Sequence, residues 1–217
     1  MDLLKESLTK YEYIGYENIE CKVIRNVLSQ EECLQWINDC EQKGFEQALI
    51  NDNGRQVLNT DVRLCDRCFI DDDKTKLDLL YDRLSPYLKS LVSKQSVSKQ
   101  SISEKNITEK EVSEKEVSLN PRLRFLKYYP GHYFMPHYDQ NYRGISGKSS
   151  EWTIQIYLNE NFKGGETTFI EDNRRWRVPF RPETGSVILF HQSLLHEGSV
   201  VKEGIKYTVR TDVLIDY

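Results

Sequence analysis

From Arg122 onward the chain reads as short strands separated by turns, and nothing else in the sequence restricts its fold so strongly. The segments Leu123–Tyr128, Trp152–Leu158, Glu166–Ile170, Ser186–His191 and Tyr207–Leu214 alternate in polarity, as strands with one buried face do. Between them stand Pro130-Gly131, Lys163-Gly164-Gly165 and Glu183-Thr184-Gly185, residues that supply the backbone angles of tight turns. Strands this short are not stable singly, and several at this spacing suggest a sandwich or jelly-roll core. A chain of 217 residues has length for one such core and too little for two.

The N-terminal part reads differently. Lys22-Val-Ile-Arg25 is predicted to be a strand. Ser29-Gln-Glu-Glu32 is a capping box, in which the serine accepts from the amide of the third helical residue and Glu32 reaches back. The helix it opens is expected to bury Cys33, Leu34, Trp36 and Ile37, and Gly44 is placed to end it. A second helix is predicted through Leu77, Leu79, Leu80 and Leu84, with Pro86 kinking or interrupting it before Leu88 and Leu91. Tyr11, Tyr13 and Tyr16 are expected to pack onto the main body. The fold class that follows is α+β: a helical and strand support over residues 1–92, and a core over 119–217.

Between them lies a segment of another kind. Residues 93–118 read SKQSV-SKQSI-SEKNI-TEKEV-SEKEV-S, a unit of five residues repeated. On a helix each apolar residue would be rotated by about 140° from the last, and on a strand successive ones would change face. No continuous apolar face forms, so the expectation is a solvated, disordered insertion.

Composition excludes several classes. Charged residues are 29% and the net charge is −4, which gives no overall attraction to nucleic acid or an anionic membrane. No stretch approaches the roughly 18 apolar residues of a membrane span, and the first residues have no apolar run behind a basic start. Five cysteines, an odd number, point to free thiols in a reducing compartment, so a cytosolic or nuclear location is expected. Cys65-Asp-Arg-Cys68 supplies only two of the four ligands of a structural zinc, with no second pair nearby. Arg174-Arg175-Trp176-Arg177 is read as a solvated basic turn.

There are four histidines: His132, His137, His191 and His196. In Pro136-His137-Tyr138-Asp139, positions i and i+2 of an extended segment share a face, so His137 and Asp139 can enter one pocket. His196 follows the apolar strand Val187-Ile-Leu-Phe190. Two histidines and one carboxylate form the facial triad that holds non-haem iron(II) with positions left open. A His-x-Asp pair alone also arises as a surface histidine beside a solvated aspartate. His132 and His191 each lie an odd five residues from a triad histidine and are expected to face away.

Context favours the triad. The stretch Arg124-Phe-Leu-Lys-Tyr-Tyr-Pro-Gly-His-Tyr-Phe-Met-Pro-His-Tyr-Asp139 resembles the prolyl 4-hydroxylase family of the 2-oxoglutarate/iron(II) dioxygenases. So do Thr153-Ile-Gln-Ile-Tyr-Leu-Asn159, Phe162-Lys-Gly-Gly-Glu-Thr167, Gly185-Ser-Val-Ile-Leu-Phe-His191 and His196-Glu-Gly-Ser-Val-Val-Lys-Glu-Gly-Ile-Lys206-Tyr, in matching order. The resemblance spans about residues 120–216, with fainter likeness at Val27-Leu-Ser29 and Asp61-Val-Arg63.

It implies a double-stranded β-helix (jelly-roll) core with N-terminal supporting helices, and His137, Asp139 and His196 as iron ligands. Lys206 stands where the family places the cation that grips the distal carboxylate of 2-oxoglutarate. Arg210 is its rival, because 206, 208 and 210 share a strand face. Tyr128 takes the position of a hydroxyl offered to the cosubstrate, with Tyr157 a second candidate and Thr167 a third. Gly164 and Gly165 are assigned to a turn. The implied reaction couples oxidative decarboxylation of 2-oxoglutarate by O2, giving succinate and CO2, to hydroxylation of a C–H bond. Proline in a protein or peptide is the substrate the resemblance favours, with ascorbate maintaining iron(II). Two alternatives stay open: the same chemistry on another side chain, a small molecule or an alkylated base, and a non-catalytic metal- or peptide-binding module.

Overall fold

The computed structural model describes residues 5–7, 21–100, 116–141, 148–170 and 176–216; for 5–7 and 92–100 it describes the backbone alone. Every strand pairing is antiparallel. The larger sheet runs, in spatial order, β1 (Lys5–Ser7), β2 (Cys21–Ile24), β15 (Val187–His191), β11 (Ser149–Tyr157), β18 (Lys206–Ile215), β9 (Arg122–Tyr128), β7 (Asp66–Asp71) and β3 (Glu46–Gln47), while β8 (Val117–Leu119) also pairs with β18. The smaller sheet runs β14 (Arg177–Phe180), β13 (Thr167–Ile170), β16 (His196–Gly198), β10 (Tyr133–His137) and β6 (Arg63–Leu64). Two ribbons complete the set: β12 (Lys163–Gly164) with β17 (Val201–Glu203), and β4 (Ile50–Asp52) with β5 (Arg55–Val57).

Strand alternation sorts side chains between two cores. In β15, Val187 and Leu189 join a cluster with the helices, whereas Ile188 and Phe190 join Phe169 and Phe180 of the smaller sheet. The same parity runs through β18, where Val209, Val213 and Ile215 face the helices and Lys206, Thr208 and Arg210 line a cavity on the other side. The result is a jelly roll, two facing sheets with helices covering the outer face of the larger one. The N-terminal half contributes strands to both sheets as well as these helices.

Helix α1 (Gln30–Lys43) begins with the predicted capping box, and the amide of Gly44, at φ 93°, donates to the Cys40 carbonyl to close it. Its buried face is Cys33, Trp36 and Cys40, with Ile37 packed beside them. Leu34 was expected in this face but is 59% exposed, since it lies about 100° round the helix from Cys33. Helix α2 (Lys74–Gln100) buries Leu80, Leu84, Leu88 and Leu91. It runs through Pro86 without the predicted interruption. Proline leaves the Asp82 carbonyl without its helical donor, and the Ser85 hydroxyl donates to that oxygen at 3.3 Å. Leucines on both sides of Pro86 pack in the same core, which keeps the helix continuous.

Ordered elements reach inside the repeat at both ends. Residues 93–100 continue α2, because extending a formed helix adds a hydrogen bond per residue without a new nucleus. Val117 and Ser118 pair with Ile215 and Leu214, and Val117 is buried. The rest of the repeat and Tyr11, Tyr13 and Tyr16 lie outside the described residues. Replacing residues 101–115 by a short Gly/Ser linker, which spares Leu91 and Val117, is expected to leave the melting temperature nearly unchanged. Thermal unfolding of the two forms measures it, and a large loss of stability would mean the segment packs on the core.

Among the described residues no helix is long and apolar enough to cross a membrane. All five cysteines are free and buried. Cys65 sits with Leu126 and Tyr128 while Cys68 faces the helices, so the odd spacing of the pair separates their thiols rather than joining them at a metal.

Candidate metal and cosubstrate site

The site lies between the two sheets. His137 ends β10 and His196 opens β16, and the two residues are direct partners in the antiparallel register. Asp139 lies two residues beyond the end of β10, outside any strand, yet its side chain joins the histidines. Its donor atom and theirs all lie within 4.8 Å of one another, the one such group among the described residues. His132 packs edge-on against Tyr129 and His191 against Trp152; neither joins it.

Hydrogen bonds decide which atoms converge. His137 Nδ1 lies 2.8 Å from the Met135 carbonyl and His196 Nδ1 2.9 Å from that of Leu194. A carbonyl accepts only, so each Nδ1 carries the proton and each Nε2 presents a lone pair. Those Nε2 atoms stand 3.7 and 3.9 Å from the Asp139 carboxylate oxygens. Two lone pairs and a carboxylate turned toward one point repel unless a cation occupies it. Burial pushes His137 down to about 3 and lowers His196 as well, so both rings are neutral ligands. Burial alone would raise Asp139, but Arg210 and the two histidines outweigh it and hold the carboxyl well below the usual range. Thr153 of β11 donates to Asp139 Oδ2 at 2.6 Å, and Arg210 Nη1 approaches Oδ1 at 3.1 Å. Two neutral imidazoles and one oriented carboxylate suit a divalent first-row metal, with an outer shell that fixes ligand direction.

Beside this point lies a cavity of about 60 Å³ whose wall includes Tyr128, Gln155, His196, Lys206, Thr208 and Arg210. Lys206 is 3% exposed. Its ammonium donates to the Gly165 carbonyl at 2.7 Å and lies 5.0 Å from the centre of the Tyr128 ring. Burial lowers its pKa to about 8, against the weaker opposing pull of Cys65 and Glu166. The Thr208 hydroxyl and Arg210 Nε, on the same strand face, are buried without a partner. A buried cation and orphaned donors around an enclosed space fit an anionic, oxygen-rich ligand.

The other candidates are distributed around this pocket. Tyr128 lines it, with a hydroxyl made harder to ionise by burial. Tyr157 lies behind Lys206 and its hydroxyl donates to Thr167 Oγ1 at 2.6 Å. Gly164 ends β12 and Gly165 follows it, both with left-handed backbone at φ 72° and 67°. A side chain at Gly165 would meet Val201 at 2.9 Å and Lys206 at 3.2 Å. Of the basic-aromatic run, Arg174 and Arg175 lie outside the described residues, Trp176 is exposed and Arg177 pairs with Glu197.

Several site residues escaped sequence reasoning. Thr153 orients Asp139. Asp212, 1% exposed, accepts from Asn120, Arg124, Gln192 and Arg210. A signal was present: polar residues at every second position of Trp152-Thr-Ile-Gln-Ile and of Lys206-Tyr-Thr-Val-Arg-Thr-Asp212 mark a functional face on strands whose other face is core.

A jelly roll with two histidines and an aspartate converging between its sheets defines a candidate metal centre of the facial-triad class. Residues 123–211 match the model of the 2OG-Fe(II) oxygenase superfamily. Similar solved structures include a prolyl hydroxylase from Trichoplax adhaerens in complex with a hypoxia inducible factor oxygen degradation domain peptide fragment. It has TM-score 0.60 and 19% identity, over 90% of this chain and 83% of that one. The 2OG complex of the viral collagen prolyl hydroxylase of Paramecium Bursaria Chlorella virus-1 has TM-score 0.55 and 20% identity, over 89% and 95%. A Pseudomonas putida prolyl-4-hydroxylase has TM-score 0.57 and 14% identity, over 90% and 92%. At these identities the likeness is one of fold. No curated protein matches this sequence.

Proposed function

We propose that this protein is a 2-oxoglutarate-dependent oxygenase that hydroxylates a side chain in a protein or peptide, with proline the foremost candidate. One observation carries the reading. A converging set of two imidazole lone pairs and a carboxylate borders a cavity that ends on a buried, carboxylate-free lysine. That is the layout needed by a ligand with a chelating end and a distal carboxylate. His137, Asp139 and His196 would hold iron(II), which supplies O2 activation when bound, and ascorbate would keep it in that state. Lys206 would hold the distal carboxylate of 2-oxoglutarate, assisted by the Tyr128 hydroxyl. Tyr157 and Thr167 would brace that end of the pocket. Thr153 and Arg210 would keep Asp139 aimed, and Phe134, stacked on His137, would exclude water from that ligand. Arg210 is thereby occupied with two carboxylates, which favours Lys206 for the cosubstrate. The resemblance to prolyl 4-hydroxylases is what favours proline. The expected result is a mass increase of one oxygen atom on proline-containing members of a peptide library incubated with Fe(II), 2-oxoglutarate and ascorbate. Oxidation confined to another residue would remove proline and leave the chemistry; succinate release with no peptide modified would turn attention to small molecules or alkylated bases.

A further inference from the structure

The metal position opens onto a recess of about 650 Å³, and its charge is one-sided. Among the described residues five arginines line it, Arg63, Arg67, Arg122, Arg124 and Arg210, with the carboxylates Asp139 and Asp212 in the wall and Glu46 and Asp71 bonded to two of the arginines from outside it. The chain as a whole is acidic, at −4, so this concentration of guanidinium groups is local. Asp139 is a metal ligand in the reading above, and its charge would be answered by the metal. Asp212 is shared between Arg124 and Arg210. At the rim Arg67 leans on Glu46 and Arg122 forms a fork with Asp71, while both guanidiniums lie about 5 Å from the Phe69 ring, at 4.9 and 5.0 Å. Those pairings fix the two arginines as walls of the recess. Crowding of like charge is felt at Arg124, whose pKa is lowered by burial and by Arg210 and Arg122, despite Asp212.

We propose that this recess binds an acidic peptide, a segment whose Asp or Glu side chains flank the residue presented to the metal. The proposal rests on the oxygenase reading and adds to it the class of substrate. Guanidinium forks inside a concave, low-dielectric wall suit planar carboxylates, which they bind two bonds at a time. The rim is amide-rich, with Asn51 of the β4–β5 ribbon bonded to Gln140 and Gln56 bonded to Arg67, groups that can serve both the N–H and the C=O of a peptide backbone. A nucleic acid needs a basic track that follows successive phosphates, with aromatic platforms for its bases; here the charge is gathered within one recess, and Phe69 and Phe134 each lie beneath arginines rather than open to a base.

The test is anaerobic, on protein loaded with Fe(II) and 2-oxoglutarate, using fluorescence anisotropy. The probes are two labelled proline-containing peptides that differ only in Asp and Glu against Asn and Gln, and a labelled oligothymidylate. The acidic peptide is expected to bind about tenfold more tightly than the amide peptide or better, and the gap should narrow as salt is raised. Arg67→Gln and Arg124→Gln should each shrink the gap several-fold, and Arg67→Lys should restore only part of it, since a lysine keeps the charge but not the fork. Equal affinity for both peptides, or tightest binding of the oligothymidylate, overturns the proposal. Succinate release by the wild-type protein without peptide reads the oxygenase assignment separately. Turnover without an acidic preference removes only the peptide proposal, and an acidic preference without turnover removes only the oxygenase.

Discussion

His137→Ala and Asp139→Ala are each expected to abolish Fe(II)-dependent succinate release while the protein stays folded. The three donor groups come from two strand ends and a loop, and each supplies one ligand to a shared point. Losing one leaves two ligands, too few to hold a divalent metal against water with its open positions correctly directed. The substitutions differ in their effect on the protein itself. His137→Ala removes a half-buried ring and its bond to Met135. Asp139→Ala also strips a partner from Arg210 and from Thr153, leaving a guanidinium and a hydroxyl in a buried site, which costs about 1–3 kcal/mol for each unmade bond. Asp139→Asn keeps the shape and separates loss of the anionic ligand from loss of stability. Metal content by elemental analysis, thermal unfolding and succinate assay are read together for the three variants. Wild-type turnover in folded His137→Ala would show that the histidine pair is structural and that the metal, if any, sits elsewhere.

How much of this was legible in the sequence depends on the distance over which each interaction acts. The capping box spanning Ser29 and Glu32 is local, and it forms as written. The strands are set by alternation over a few residues, and they appear within one or two positions of their expected ends, except at Trp152, where β11 starts earlier at Ser149. The pairing of His137 with Asp139 was legible from their i, i+2 spacing, and the resemblance to the prolyl 4-hydroxylases is what singled out His196 as the third member. Contacts fixed by register were not. Thr153 meets Asp139 because β11 is folded back against the loop after β10, and Arg124 meets Asp212 only because β9 pairs with β18 in the register that sets Arg124 opposite Arg210. No local pattern encodes a partner 88 residues away. Two details of the helices differed for the same reason. Leu34 has an apolar side chain but the wrong angle, and Pro86 is tolerated because Ser85 supplies the missing donor and the leucine face supplies the packing.

The choice between Lys206 and Arg210 leads to the second large effect. Arg210 reaches Asp139 and Asp212, whereas Lys206 has a carbonyl oxygen and an aromatic face but, among the described residues, no carboxylate in bonding distance. Lys206→Ala is therefore expected to weaken 2-oxoglutarate binding by more than a hundredfold, since a buried carboxylate left without its cation costs roughly 3–5 kcal/mol. Iron affinity should stay similar. Lys206→Arg should recover only part of the loss, because the planar fork must fit between Tyr128, Gly165 and Val201 where a point charge now sits. The lysine also predicts a pH dependence. With the pocket free of cosubstrate its pKa is about 8, so the ammonium that binds the carboxylate is present below that value and lost above it. 2-Oxoglutarate affinity should thus fall as pH rises past 8, approaching about tenfold per unit, and the fall should vanish in Lys206→Arg, whose guanidinium stays charged throughout. Anaerobic titration of 2-oxoglutarate from pH 7 to 9.5 (about the range over which this group titrates) measures both effects. Binding abolished in Arg210→Ala but retained, with its pH dependence, in Lys206→Ala would transfer the cosubstrate role to the arginine. Lys206 would then be a buried cation held by Gly165 alone, and the likeness to prolyl 4-hydroxylases at this end of the pocket would lose its main support.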